Sequence, residues 1–202
     1  MVRTFVASCG IALAMGALPL SATAQTVAFW NFNDLSPGLA TPFTQSKSGV
    51  LAAFSTVGNP PSAFAVGLSF FQTLSGNVLF SADGLSNNLG IGFSSPLDSI
   101  SVGFALNTQV TSTFFTVNTF LGLAPVSTFQ ATGVLASSGF VEGTFSARGP
   151  TFDRVIIASL AADLAIDNLS VRTVVPEPRA VLLIAAGLGA AGALARRRRG
   201  VA

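Results

Sequence analysis

The sequence predicts an all-β fold, an antiparallel two-sheet sandwich of the jelly-roll kind, followed by a single C-terminal transmembrane helix. Three observations support this prediction. In the middle of the chain, apolar residues recur with a period of two, in short runs rich in β-branched and aromatic residues. Gly, Pro, Asn and Ser interrupt these runs about every ten residues. Near the C-terminus, a long apolar run ends at four arginines.

The N-terminus has the three parts of a secretory signal peptide. Arg3 is a minimal charged region, an apolar stretch follows it, and Ala22 and Ala24 form the small-x-small pattern that signal peptidase cleaves. We therefore expect residues 1–24 to be removed, Gln25 to begin the mature chain, and the protein to be exported.

Residues 25–174 have the length of one domain and contain the predicted strands. The clearest strand-like runs are 78–80, 100–104, 115–120, 140–145 and 155–157. The clearest turn signals are Asn59-Pro60-Pro61, Ala82-Asp83-Gly84 and Arg148-Gly149-Pro150. Because no helical stripe competes with the two-residue period, we expect an extracytoplasmic β-sandwich domain.

The last predicted strand, residues 164–171, changes parity at its centre. Its apolar side chains lie on one face before Asp167 and on the other face after Asn168. Either a bulge lies at Asp167 and Asn168, or Asp167 points to an apolar side. A buried carboxylate needs partners, because an unpaired one is very costly.

One possible partner for this carboxylate is a calcium ion. Asn33 and Asp34 follow the first predicted strand, which often lies beside the last strand in a jelly roll. Together with Asp167 and Asn168 they offer carboxylate and amide oxygens, and calcium takes six to eight oxygen ligands. The simpler alternative is that Asp167 accepts backbone N–H bonds at a bulge or turn.

The C-terminal apolar run, residues 180–195, is sixteen residues long and has no charged side chain. As a helix it would span roughly 24 Å, enough to cross a bilayer if the arginine side chains that follow extend to the interface. These arginines are Arg196, Arg197, Arg198 and Arg199. Positively charged flanks stay in the cytoplasm, so the preceding domain is expected on the outer side of the inner membrane.

The residues just before this run complete a recognisable pattern. They are Val175, Pro176, Glu177 and Pro178. Followed by the apolar helix and the arginine cluster, residues 175–199 resemble the PEP-CTERM sorting signal of exported proteins in Gram-negative bacteria. The resemblance implies recognition by exosortase, an integral-membrane protease, removal of the tail near the Pro-Glu-Pro motif, and release to the cell surface or extracellular matrix. Arg179 departs from the small or polar residue that is common there.

The composition argues against an enzyme. The chain has no histidine, and its single cysteine, Cys9, falls in the signal peptide. Catalytic triads, Cys-His pairs and histidine-metal sites are therefore excluded from the mature chain. Carboxylate pairs of the glycosidase type remain conceivable, either Asp163 with Asp167 or Asp153 with Glu142. Acids in so charge-poor a domain are more simply explained as caps and turn residues, and we expect no catalysis and no cofactor other than calcium.

Charge and aromatic content leave two functional interpretations. Residues 25–174 carry seven acidic and four basic side chains, a net charge of −3, with no basic patch for nucleic acid and little repulsion to prevent self-association. The interpretation we favour from the sequence is a structural or adhesive protein of the envelope or exopolysaccharide. The alternative is a carbohydrate-binding jelly-roll module, but Trp30, the one candidate for stacking on sugars, shares its strand face with Ala28 and Phe32 and is expected in the core.

Overall fold

The computed structural model describes residues 25–58, 64–81, 88–161 and 163–174, and this part of the chain contains eleven β-strands and no helix. The all-β prediction is confirmed. The strands are β1 (Val27–Trp30), β2 (Phe43–Lys47), β3 (Val50–Val57), β4 (Phe64–Leu68), β5 (Asn77–Ser81), β6 (Asn88–Leu106), β7 (Phe115–Leu121), β8 (Ala124–Ala131), β9 (Val134–Leu135), β10 (Val141–Ser159) and β11 (Leu164–Thr173).

The strands form two antiparallel leaves that share their two longest members, β6 and β10, each 19 residues long. The first leaf has the order β2-β3-β6-β10-β7-β8 and uses the beginning of β6 and the end of β10. The second leaf has the order β4-β5-β11-β6-β10-β9, with β1 also paired to β11. The predicted antiparallel sandwich is therefore confirmed.

The shared strands pass from one leaf to the other at a bend. Between Arg148 and Arg154, the pairing of β10 with β6 contains two register shifts. The turn predicted at residues 148–150 is wrong, because β10 continues through it. Gly149 and Pro150 indicate a break in regular pairing, and a bulge provides that break without reversing the chain.

The hydrophobic core lies between the two leaves and is filled by alternate residues of both. Phe104 of the second leaf stacks on Phe115 of the first, with ring centroids 4.3 Å apart. Phe32, just after β1, meets Phe54 of β3 edge-on at 5.6 Å. Trp30 is fully buried, so its predicted core position is confirmed. These aromatic contacts join the leaves across the middle of the sandwich.

The parity change in β11 is a β-bulge. Asp167 pairs with Gly103, but the next pair is Ser170 with Ser101, so β11 has one residue more than β6 over this step. Asn168 has φ 52°, in the left-handed region that such a bulge uses. Apolar residues before and after the bulge are therefore both buried. Asp167 is also buried, but on the face of β11 opposite the core residues Leu164 and Ile166, so of the two alternatives the structure shows the bulge.

Several sequence predictions fall outside the described residues. They are the turns at residues 59–61 and 82–84, the signal peptide and its cleavage site before Gln25, the sorting motif at residues 175–178, the transmembrane helix at 180–195 and the arginines at 196–199. Across the four described ranges, no helix is long and apolar enough to span a membrane.

Candidate functional site

A cleft lies on the outer face of the second leaf, the face turned away from the core. Strand register places Glu142, Ala105, Ala165 and Phe80 in one row across β10, β6, β11 and β5. Ala105 and Ala165 are buried, and their small side chains form the floor between the larger residues at either end. Successive side chains of a strand point to opposite faces, so residues that alternate with the core residues form this depression on the outer face.

Two loops stand over this row and form the walls of the cleft. Loop A (69–76) is closed at its neck by the N–H of Ser69 donating to the carbonyl of Gly76 at 2.7 Å. The Ser69 hydroxyl also donates to the carbonyl of Leu74 at 2.6 Å. Loop B (136–140) is closed by the N–H of Ala136 donating to the carbonyl of Phe140 at 2.8 Å. Short hydrogen bonds inside each loop give it a defined shape.

Phenylalanine rings from both loops form an aromatic wall. Phe70 and Phe71 of loop A lie 4.4 Å apart between centroids, and Phe140 of loop B lies 5.4 Å from Phe70 and 5.1 Å from Phe71. With Phe80 they surround an open cavity of about 330 Å³. Phe70 is 64% exposed, so a large aromatic surface faces solvent at the mouth of the cleft.

The other end of the cleft is polar, and none of the described residues that line it is positively charged. The Asn107 side-chain amide donates to the Asp163 carboxylate at 2.6 Å, and the Asn107 backbone N–H donates to the Asp163 carbonyl at 3.0 Å. Ser81 of β5 also lines the cleft. The basic side chains of the described ranges lie elsewhere: Lys47 binds Asp34, Arg148 and Arg172 bind Asp98, and Arg154 lies over the Phe120 ring.

Glu142 is fully buried beneath the two loops and contacts both of them. Its carboxylate accepts the backbone N–H of Gln72 at 3.0 Å and that of Thr73 at 2.7 Å in loop A. It also accepts the hydroxyl of Thr73 at 2.7 Å and the hydroxyl of Ser138 in loop B at 2.6 Å. The carboxylate is thus satisfied by four donor groups, as a buried charge requires.

Asp167 is the second buried carboxylate on this face, but it has few donors. Its Oδ2 accepts the side-chain amide of Asn168 at 3.2 Å, while Oδ1 has no hydrogen-bond partner among the described residues. Burial raises the pKa of Asp167 to about 6, although backbone N–H groups of Asn168 and Ser75 lower it in part. The simpler sequence interpretation, Asp167 beside backbone N–H groups at a bulge, matches this geometry.

Of the four residues predicted to bind calcium, Asp167 and Asn168 bond to each other, whereas Asn33 and Asp34 bond to other residues. Asp34 accepts hydrogen bonds from the side chains of Lys47 at 2.5 Å and Gln45 at 2.8 Å, and the bond from Lys47 lowers the pKa of Asp34. Asn33 accepts the backbone N–H of Asn77 at 2.6 Å. Within the described ranges, no three acidic, histidine or cysteine side chains form a group that could hold a metal. Calcium binding stays a prediction.

The four carboxylates that the sequence offered as catalytic pairs lie at different places in the fold. Asp163 binds Asn107 at the rim of the cleft. Asp153 accepts the backbone N–H of Gly122 at 2.9 Å, at the turn between β7 and β8. Glu142 and Asp167 lie buried on the outer face of the second leaf.

Sequence reasoning missed the aromatic cleft. The signal that was available is the pair Phe70 and Phe71, which lies in a segment rich in Ser, Gly and Gln, outside the alternating runs. Phe140 begins one of the predicted strands and gave no such signal. Aromatic residues in polar loops are candidates for binding surfaces, because loops lie on the outside and carry function.

Comparison with known proteins leaves the family open. No protein-family model matches the sequence, and no curated protein matches it. The chain is similar to CBM29_1, a family 29 carbohydrate-binding module from Piromyces equi, with 16% identity and a TM-score of 0.40 over 75% of this chain and 92% of that one. It is also similar to the enzymatically active domain of bacteriophage CBA120 tailspike protein 4, with 15% identity and a TM-score of 0.38 over 60% of this chain and 19% of that one. At these TM-scores neither likeness decides what this chain binds.

Proposed function

We propose that the β-sandwich is a non-catalytic carbohydrate-binding domain and that the aromatic cleft is its binding site. The observation that carries this proposal is the exposed Phe70 ring beside Phe71 and Phe140, in an open cavity whose far end presents Asn107 and Asp163. A binding pocket typically combines apolar walls with a few fixed polar groups in this way.

The chemistry of the cleft fits a neutral sugar. A pyranose ring has an apolar C–H face, which can pack on a phenylalanine ring, and a rim of hydroxyl groups, which can bond to amide and carboxylate oxygens. Asp163 is the ionisable residue that lines the cavity, and no Lys or Arg of the described ranges does so. Acidic polysaccharides would meet negative charge without compensation, so neutral ones are favoured.

The sequence supports a second part of the proposal, that the protein is exported and works in the cell envelope or matrix. The signal-peptide pattern before Gln25 and the resemblance of residues 175–199 to a PEP-CTERM tail are its support. In this proposal, signal peptidase and an exosortase-like protease process the chain, and binding to exopolysaccharide gives it a structural or adhesive role. We also propose a jelly-roll connection of the strands, supported by the two antiparallel leaves.

The test is retention of the purified domain in native gels that contain polysaccharide. We expect neutral glucans or mannans to retard the wild type, and acidic polysaccharides to retard it less. The double variant Phe70→Ala with Phe140→Ala should weaken retention about tenfold or more, because it removes the stacking surface. Phe114→Ala, which removes an exposed ring that does not line this cleft, is the matched control and should bind as the wild type. Equal retention of all three proteins would exclude the cleft as the site.

A further inference from the structure

Glu142 connects the two walls of the aromatic cleft through one buried carboxylate. We propose that Glu142 is the positioning residue of the sugar-binding site: it holds loop A and loop B in the arrangement in which their rings present one continuous surface. This inference rests on the proposed carbohydrate-binding function and assigns a role to a residue that does not itself line the cleft.

The residues that bond to Glu142 are close in sequence to the phenylalanines of the cleft. In loop A the donors belong to Gln72 and Thr73, directly after the Phe70-Phe71 pair. In loop B the donor is Ser138, two residues before Phe140. Because each loop is bonded to the same carboxylate within two residues of its rings, the distance between the rings depends on Glu142.

A direct bond between the loops adds to this connection. The Gln72 side-chain carbonyl accepts the backbone N–H and the hydroxyl of Ser137, both at 3.2 Å. Glu142 fixes the backbone of Gln72, and Gln72 then reaches across to loop B. A binding site whose walls are already in place loses less conformational entropy when a ligand binds.

The ionised form of Glu142 is the one that suits this site. Burial alone would raise the pKa of Glu142, but hydrogen bonds from Gln72, Ser138 and Thr73 outweigh burial and hold the pKa below its usual value. All of the bonded groups donate hydrogen, so an amide at position 142 would turn an NH₂ group towards at least one N–H donor. Glu142→Gln is therefore nearly isosteric and yet breaks the arrangement.

The first measurement is hydrogen exchange without any ligand. In Glu142→Gln we expect amides of loops A and B to exchange about tenfold faster, because charge-assisted bonds that hold them are lost. Strands of the first leaf should keep their protection. Asp153→Asn makes the same carboxyl-to-amide change at the β7–β8 turn and should leave both loops unchanged. Unchanged exchange in loops A and B of Glu142→Gln would overturn the proposal.

The second measurement is binding to the neutral polysaccharide that retards the wild type. We expect Glu142→Gln to bind about tenfold more weakly, through loss of loop order. Val155→Ala lowers the stability of the core in the other leaf and should bind as the wild type, which separates positioning from general destabilisation. Faster hydrogen exchange in loops A and B of Glu142→Gln together with unchanged polysaccharide binding would overturn the positioning role.

Two further outcomes keep the test decisive. If Glu142→Gln does not fold, Thr73→Val and Ser138→Ala each remove one hydroxyl donor and should show a smaller loosening of the same loops, while unchanged loops in both would contradict the proposal. If the wild type binds no polysaccharide while Glu142→Gln still loosens the loops, the proposed function fails and the structural role of Glu142 stands.

Discussion

Two buried carboxylates on the outer face of the second leaf show opposite pKa shifts because their donors differ. Glu142 receives hydrogen bonds from four donor groups, and its pKa lies below the usual value. Asp167 is also buried but accepts few hydrogen bonds, and burial raises its pKa to about 6. At Glu142 the hydrogen-bond donors outweigh burial, whereas at Asp167 they do not.

The raised pKa of Asp167 predicts that the stability of the wild type falls as pH rises. The folded carboxyl keeps its proton up to about pH 6, whereas an ordinary Asp releases it near 3.8. The stability that protonation provides is therefore fully present below pH 3.8, the pKa of the unfolded chain, and is lost as pH rises through about 6, the pKa in the folded protein. We expect Asp167→Asn to gain roughly 2 kcal/mol relative to the wild type between about pH 4 and pH 7.5, since one pKa unit corresponds to about 1.4 kcal/mol and part of the change lies below pH 4.

The measurement is urea unfolding of wild type and Asp167→Asn at both pH values. Ser75→Ala is a suitable control, because it keeps both the backbone N–H near the carboxyl and the carboxyl itself. This control should follow the pH dependence of the wild type. If Asp167→Asn lost as much stability as the wild type over this pH range, another group would be responsible for the pH dependence.

At the scale of elements, loop A is held in place by residues distant from it in the sequence. Its own hydrogen bonds close it at Ser69, Glu142 holds its middle, and Leu74 is buried on the outer face of the sheet. At its end, Asn33 accepts the N–H of Asn77, next to Gly76. Two residues distant in the sequence, Asn33 and Glu142, thus hold the end and the middle of one loop of eight residues.

Gly76 provides a test of this dependence. It has φ 74°, and a Cβ added there would collide with the Asn33 side chain. Gly122, in the β7–β8 turn, has φ 60° but open space around it. We expect Gly122→Ala to cost about 1 kcal/mol in stability for its backbone conformation, and Gly76→Ala to cost about 1–3 kcal/mol more because of the collision.

Denaturant unfolding of both glycine variants checks this expectation, with Gly122→Ala as the matched control for the backbone term. Polysaccharide retention should also fall in Gly76→Ala and remain unchanged in Gly122→Ala. Equal loss of stability in the two variants would mean that the Asn33 contact does not confine the end of loop A.

At the scale of the whole molecule, the sandwich has few charges, and half of the charged side chains in the described residues form salt bridges. Lys47 is paired with Asp34, and Arg148 and Arg172 are paired with Asp98. The edge of β4 is partly covered, since backbone bonds join residues 38–41 to it. Low charge leaves solubility to neutral polar groups.

The proposed processing is tested at this same scale by the intact mass of the protein from envelope and culture medium. We expect a mature form that begins at Gln25 and ends near Pro176. Glu177→Ala with Pro178→Ala should accumulate a form that retains the tail, because the motif is the expected recognition element. A mature wild-type species that still contains Arg196–Arg199 would contradict removal of the tail.

The sequence by itself determined the β class, several strand positions and the irregularity at Asp167 and Asn168, because a two-residue period and a change of parity are local properties. It did not distinguish a turn from a bend at Gly149, since the same residues serve both. The tertiary structure decided the site. Register between strands far apart in sequence places Glu142 in line with Ala105, and loop packing brings the exposed phenylalanines together over that row. Register depends on which strands pair, and that is fixed when the leaves close over their common core.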